Sequence, residues 1–241
     1  MRALSAKSVG VRLACCLALL ALNSLAQRAS ASEPHTAETS HQCYVGLHLG
    51  ASRWRDQGRE TFNGAPSPFS PLSALETTGG MVGGYAGCNL YLTGNWLVCL
   101  EGDGEFANID GKKDYFNTGT PADSYQIDIN WRASVRGRLG YVWGNVLLYG
   151  TAGLAIAGIE HEYFQNFPAT FQTLDSTRTG WTAGVGIDIS LTKHLVGRIE
   201  YRHSDFGKIT NVPTIYASGF AQHHDMNEDV IRLGLSYKFD N

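Results

Sequence analysis

From residue 127 to residue 139 every second side chain is apolar or small (Ile127, Ile129, Trp131, Ala133, Val135, Gly137, Leu139), and between them stand Asp128, Asn130, Arg132, Ser134, Arg136 and Arg138. Alternation is the period of a β-strand, whose successive side chains point to opposite faces. Such a strand needs hydrocarbon on one side and a polar, ion-paired setting on the other. It is about twice the common length of 5 to 6 residues, and reaches the length that a tilted membrane-spanning strand requires. A wall between lipid and a polar barrel lumen serves both faces at once.

The start of the chain agrees with export. Arg2, Lys7 and Arg12 precede an apolar run over 13–25, and Ala29, Ser30 and Ala31 follow, which is the layout of a secretory signal peptide cleaved after Ala31. The apolar run is too short to span as a helix, and no later stretch reaches about 18 consecutive apolar residues. Residues 1–31 carry four basic and no acidic side chains. Removing them leaves 19 − 4 = 15 Lys+Arg against 22 Asp+Glu, a net charge of −7, which argues against a nucleic-acid partner. The 28 glycines and 11% aromatic residues, with no long helical period, point to an all-β chain.

Period-2 reading yields eight strands, at 43–54, 78–91, 96–109, 124–142, 145–160, 178–192, 194–206 and 228–239. Their connections alternate. Those at 92–95, 143–145 and 192–193 are tight, whereas 55–77, 110–123, 161–177 and 207–227 are long and rich in turn-forming residues. The expected fold is an eight-stranded antiparallel up-and-down transmembrane β-barrel, because closure leaves no unpaired edge in lipid. Its expected organisation is a signal peptide at 1–31, a short periplasmic N-terminal segment at 32–42 and the barrel domain at 43–241.

Strand by strand, the same alternation sends a set of charges inward. Glu101, Asp103 and Glu105 share a face with Cys99, and Arg132, Arg136 and Arg138 oppose them from the next strand; Arg198, Glu200, Arg202 and Arg232 follow on the last two strands. Paired and hydrogen-bonded charges are tolerated inside a narrow barrel, so these ten are the expected structural filling of the lumen. Aromatic residues fall near the strand ends, with Tyr91, Trp96, Tyr141, Trp143, Tyr237 and Phe239 toward the short turns. Phe106, Tyr125, Trp131, Trp181 and Tyr201 lie toward the long connections. Two such belts are expected at the two headgroup layers.

At this point the chain resembles a family. The segment Gly79-Gly80-Met81-Val82-Gly83-Gly84-Tyr85 is followed by Gly94-Asn95-Trp96, Glu101-Gly102-Asp103 and Val135-Arg136-Gly137-Arg138-Leu139-Gly140-Tyr141. Gly180-Trp181-Thr182-Ala183-Gly184-Val185-Gly186, Glu200-Tyr201 and a terminal Arg232-Leu233-Gly234-Leu235-Ser236-Tyr237-Lys238-Phe239 complete the set. This ordered set is similar to the small porin-family outer-membrane β-barrel proteins, especially their alphaproteobacterial surface-antigen branch. The resemblance implies location in the cell outer membrane, amid lipid and lipopolysaccharide. It also implies insertion by the barrel-assembly machinery, which recognises a last strand ending in an aromatic; here Phe239 is followed by Asp240 and Asn241. The implied role is structural and surface-interacting, with at most a narrow pore, no cofactor, and an extracellular ligand left unidentified.

Other chemistry is thinner. A two-residue turn at Thr93 and Gly94 sets Cys88 opposite Cys99, both facing the lumen, and makes them a candidate disulfide in an oxidising compartment. Cys43 then remains as a thiol at the periplasmic rim. His203 and Ser204 stand beside the acids Glu200 and Asp205, which invites comparison with hydrolytic outer-membrane barrels such as the lipid A deacylases, but those use a spaced His and Ser that this sequence does not match. Adjacent strand residues face opposite ways, however, so they cannot act as nucleophile and base, and no enzyme is expected. His161, His223 and His224 fall in long connections and offer an alternative reading as haem, metal or other ligand binders. A soluble, exported lipocalin-type barrel is a further alternative, and requires the inverse layout of apolar interior and charged exterior.

Overall fold

The structure, a computed structural model, describes residues 41–67, 73–117, 120–165, 169–215 and 218–239. The expected signal peptide and most of the expected periplasmic segment lie outside these residues. Eight long strands carry the chain: β1 (His41–Phe62), β3 (Ser73–Tyr91), β4 (Trp96–Asn117), β5 (Thr120–Trp143), β6 (Val146–Gln165), β7 (Thr170–Ser190), β8 (Leu195–Asn211) and β9 (Phe220–Lys238). A two-residue strand, β2 (Ala65–Pro66), folds back on the end of β1. Each long strand pairs antiparallel with the next, and β1 also pairs with β9 along the register Tyr44↔Lys238 to Phe62↔Phe220. Eight strands thus close into a ring, the up-and-down barrel that the alternation predicts.

The strands run further than predicted. They are 17 to 24 residues long, so most of the residues expected in the long connections are paired in the ladder. The reason is visible in the exterior. Outward side chains over the half of the ring nearer the short turns are apolar and exposed, among them Leu47 (72% exposed), Leu49, Val135, Leu154, Val185 and Leu233. Beyond that band polar outward side chains appear, as in the ion pairs of Glu76 with Arg53 and Arg55, alongside Phe62, Phe164 and Phe171 exposed at the tips. Such stretches carry the composition of loops while their backbones continue to hydrogen-bond as strands. Exposed aromatic residues edge the band on both sides: Trp96, Tyr141, Trp143, Tyr237 and Phe239 at the short turns, and Phe106, Trp131, Trp181 and Tyr201 at the other rim. Tyr91 and Tyr125 depart from the expected belts. Tyr91 is half-buried and donates to Gln42, and Tyr125 is buried within the barrel.

Tyr125 marks the main departure inside β5. The alternation over 127–139 reads as one uninterrupted face, yet Ile127 and Ile129 point inward and are 0% exposed, while Trp131 and Val135 point outward. A β-bulge at Asn130 is the cause: the pairing with β6 steps from Ile129↔Ile159 to Trp131↔Gly158, so Asn130 has no counterpart and the faces exchange. A second irregularity in β8, between Asp205 and Gly207, lets both Phe206 and Ile209 point inward; Gly207 accommodates it with a φ of 70°. The interior beyond the bulges is an apolar cluster built from Trp54, Ile109, Tyr125, Ile129, Phe206 and Met226, among others. The inverse layout required of a soluble barrel therefore occurs only at these strand ends, above the apolar band.

The short turns decide the disulfide. Between β3 and β4 the connection is a three-residue 3-10 turn, Thr93–Asn95, and the Leu92 amide donates to the Trp96 carbonyl at 2.7 Å. This turn is one residue longer than predicted, so Cys88 pairs with Leu100, and Asn89 with Cys99. A slip of one residue exchanges faces. Cys88 points outward, where the β1 register sets Cys43 opposite it, and the disulfide is Cys43–Cys88, with an S–S distance of 2.06 Å. Cys99 remains a buried thiol, 3.2 Å from the Tyr44 hydroxyl.

Candidate functional site: the charged lumen and its plug

Charge fills the barrel interior within the apolar band. All ten lumen charges expected from the sequence lie on inner faces and are buried. Arg136 stands at the centre, 2.6 Å from Glu101, 2.8 Å from Asp103 and 2.8 Å from Glu200. Toward the short turns, Arg138 and Arg198 both reach Glu101, at 3.1 and 2.6 Å, and both reach Asp188 at 2.8 Å. Toward the far end, Arg202 bridges Asp103 and Glu105, Arg132 meets Glu105 at 3.0 Å and also Glu228, and Arg232 joins Asp103, Glu105 and Glu200.

Asp188 and Glu228 complete this set, and the sequence reading left both out of it. Asp188 was legible as an inward residue of β7. Glu228 stands at the edge of its expected strand, where alternation has little length to show itself. With them, six arginines face six carboxylates. Neutral groups add further bonds: Tyr44 donates to Glu101 at 2.5 Å, Tyr149 donates to Glu200 at 2.8 Å, and Ser134 donates to Asp103 at 2.5 Å. The Arg138 guanidinium lies 3.7 Å above the Tyr149 ring, a cation–π contact. Gly186 faces that ring, and a Cβ there would overlap it. At the short-turn mouth a pocket of about 50 Å³, lined by Asn89, Asp188, Arg198 and Lys238 among others, has room for only a few waters.

Above the ionic layers stands the apolar plug, which holds a small group of polar side chains in its middle. His224 Nδ1 lies 2.7 Å from Asp56, and its Nε2 lies 3.0 Å from the Tyr163 hydroxyl. His161 faces His224 with ring centroids 4.9 Å apart. These two histidines are inside the barrel, not in open loops, and His223 is held separately between Thr61 and Thr210. The three thus do not converge on a surface site, and among the described residues no group of three or more His, Cys, Asp or Glu is arranged to hold a metal ion. His203 and Ser204 part as their alternation requires: His203 bonds Asp229 outside, and Ser204 donates to Thr182 inside.

Comparison with known proteins follows the same lines. A family model described as the outer membrane protein beta-barrel domain matches residues 14–239. The 31 kDa outer-membrane immunogenic protein of Brucella melitensis is 28% identical over 169 residues, covering 68% of each chain. The 25 kDa outer-membrane immunogenic protein of Brucella abortus is 26% identical over 196 residues, 81% of this chain and 78% of that one. Among solved structures, the outer membrane protein OprG from Pseudomonas aeruginosa shares the fold at a TM-score of 0.53. Its sequence identity is 13%, over 85% of this chain and 99% of that one.

Proposed function

Since this chain belongs to the outer membrane protein β-barrel domain family, and is an outer-membrane protein, we propose that it serves as a sealed structural barrel that displays its strand ends and loops at the cell surface. One observation carries this reading: the lumen is filled twice over, by paired charges within the membrane and by an apolar plug above them. Eight strands enclose about enough room for side chains alone. With the short turns placed in the periplasm, strands such as β5 continue about 10 residues beyond the band, roughly 20 Å of wall above the membrane. The partners on this reading are outer-membrane lipid and lipopolysaccharide around the band, the barrel-assembly machinery during insertion, and an extracellular ligand at the exposed tips.

The test is conductance. In planar bilayers the pure protein is expected to show no large, steady open state; brief, small currents fit side chains that rearrange within the network. A steady conductance of general-porin size overturns the sealed barrel.

A further inference from the structure

His161, on β6, is 0% exposed, and neither of its ring nitrogens has a hydrogen-bond partner among the described residues. Its surroundings show why only the uncharged ring fits. From β8, the Asn211 amide donates to the Tyr163 hydroxyl at 2.8 Å; that hydroxyl is hydrogen-bonded to His224 Nε2, and His224 Nδ1 to Asp56 on β1. This chain of four occupies both His224 nitrogens and Asp56 Oδ2, and no member of it reaches His161 by a hydrogen bond. β5 contributes Tyr125, whose ring lies 5.7 Å from that of His224. β7 contributes Arg178, a like charge toward an imidazolium. Leu75 from β3 and Ile109 from β4 add only hydrocarbon. A proton on His161 therefore meets no acceptor, one cation and a second imidazole.

We infer that His161 and His224 form a proton-operated catch in the extracellular plug: a proton taken up by His161 releases the plug, while the ionic column beneath it stays shut. Burial, then His224 and Arg178, hold the His161 ring down at about 3, from an ordinary 6.5. In an opened plug the ring returns to the ordinary value. Between those two values the open form binds the proton and the closed form does not, so falling pH favours opening. The open population rises by up to about tenfold per pH unit in that window. Above 6.5 neither form is protonated and the catch is closed.

The experiment is NMR of the full-length protein in detergent micelles from pH 8 to 4.5, observing the histidine ring nitrogens and the indole N–H of Trp54. Trp54 is buried in the plug against Phe206, with ring centroids 5.1 Å apart. The wild type is expected to lose its buried Trp54 signal as pH falls, together with protonation of His161. His161→Phe, a ring of similar size that cannot titrate, is expected to keep that signal throughout. The inference is overturned if His161→Phe opens at the same pH as the wild type, or if the wild-type plug stays shut to pH 4.5. It also fails if His161 gains its proton near 6.5 with the Trp54 signal unmoved. Should His161→Phe fail to fold, the wild-type histidine titration alone decides between these outcomes.

Discussion

Arg136 touches three carboxylates from three directions, so its loss strands more buried charge than the loss of a peripheral partner would. Replacing an entire buried network by hydrocarbon can be neutral, but removing one member leaves the others unpaired, at about 3–5 kcal/mol. Arg136→Ala is therefore expected to lower the temperature at which the barrel loses its compact, fast-migrating form on detergent gels. Lys112→Ala, on the exposed outer face of β4, should leave it unchanged. Equal midpoints for the two variants would mean that the network contributes nothing. The same scale explains the cysteines. Cys88 and Cys99 are eleven positions apart in sequence, and a single added turn residue sends one outward to Cys43 and leaves the other in the lumen.

Elements behave differently on the two sides of the membrane boundary. Within the band, Leu233 on β9 is half exposed on the lipid side, and an arginine at mid-bilayer costs roughly 2–4 kcal/mol in such barrels. Leu233→Arg should impair membrane yield far more than Gln57→Arg, on the polar exterior of β1; matched yields would reverse the assignment of faces. Above the band the registers place Asp110, Asp128, Glu160 and Asp175 side by side across β4 to β7. Like charges directly opposite one another destabilise a sheet. The Glu160 carboxyl is pushed above its usual range by burial and by Asp175, Asp128 and Glu162, so its contribution is favourable below the ordinary carboxylate pKa and is lost as pH rises through the shifted one. Glu160→Gln is thus expected to raise the thermal midpoint at neutral pH, by the equivalent of roughly a few tenths of a kcal/mol after solvent screening. The gain should vanish in acid, where the parent is protonated, and shrink in high salt. A gain that persists unchanged in acid would point to a cause other than charge.

As a whole molecule the barrel is a stack of two materials. The membrane-embedded layers are tied by ion pairs that cross the lumen between non-adjacent strands, as Arg136 on β5 does to Glu200 on β8, whereas the outer layers rest on apolar contact and short polar chains. Local opening starts where buried contacts and crosslinks are fewest. Hydrogen exchange in micelles is expected to be slowest for the β4 and β5 amides around Glu101 and Arg136, and faster along the tip pairing of β1 with β9, near Phe62 and Phe220. Uniform protection from band to tip would show that the two zones open as one.

Much of this architecture was written in the period of the chain. Strand type, the closed ring, the outward apolar residues within the band and the ten lumen charges follow from alternation, since a spanning strand with one face in lipid admits no other register. What alternation could not reveal was where its own phase changes. A bulge adds one residue without altering the pattern of letters, so Ile127 and Ile129 read as lipid-facing and stand in the plug. Likewise, one extra residue in the Thr93–Asn95 turn re-paired the cysteines. The partners of His161 were equally hidden, because β1, β6, β7 and β9 bring Asp56, His161, Arg178 and His224 together only once the ring has closed. Local periodicity determined which charges face inward within the membrane band; closure of the sheet decided which of them meet, because contacts across a lumen depend on register summed around every strand.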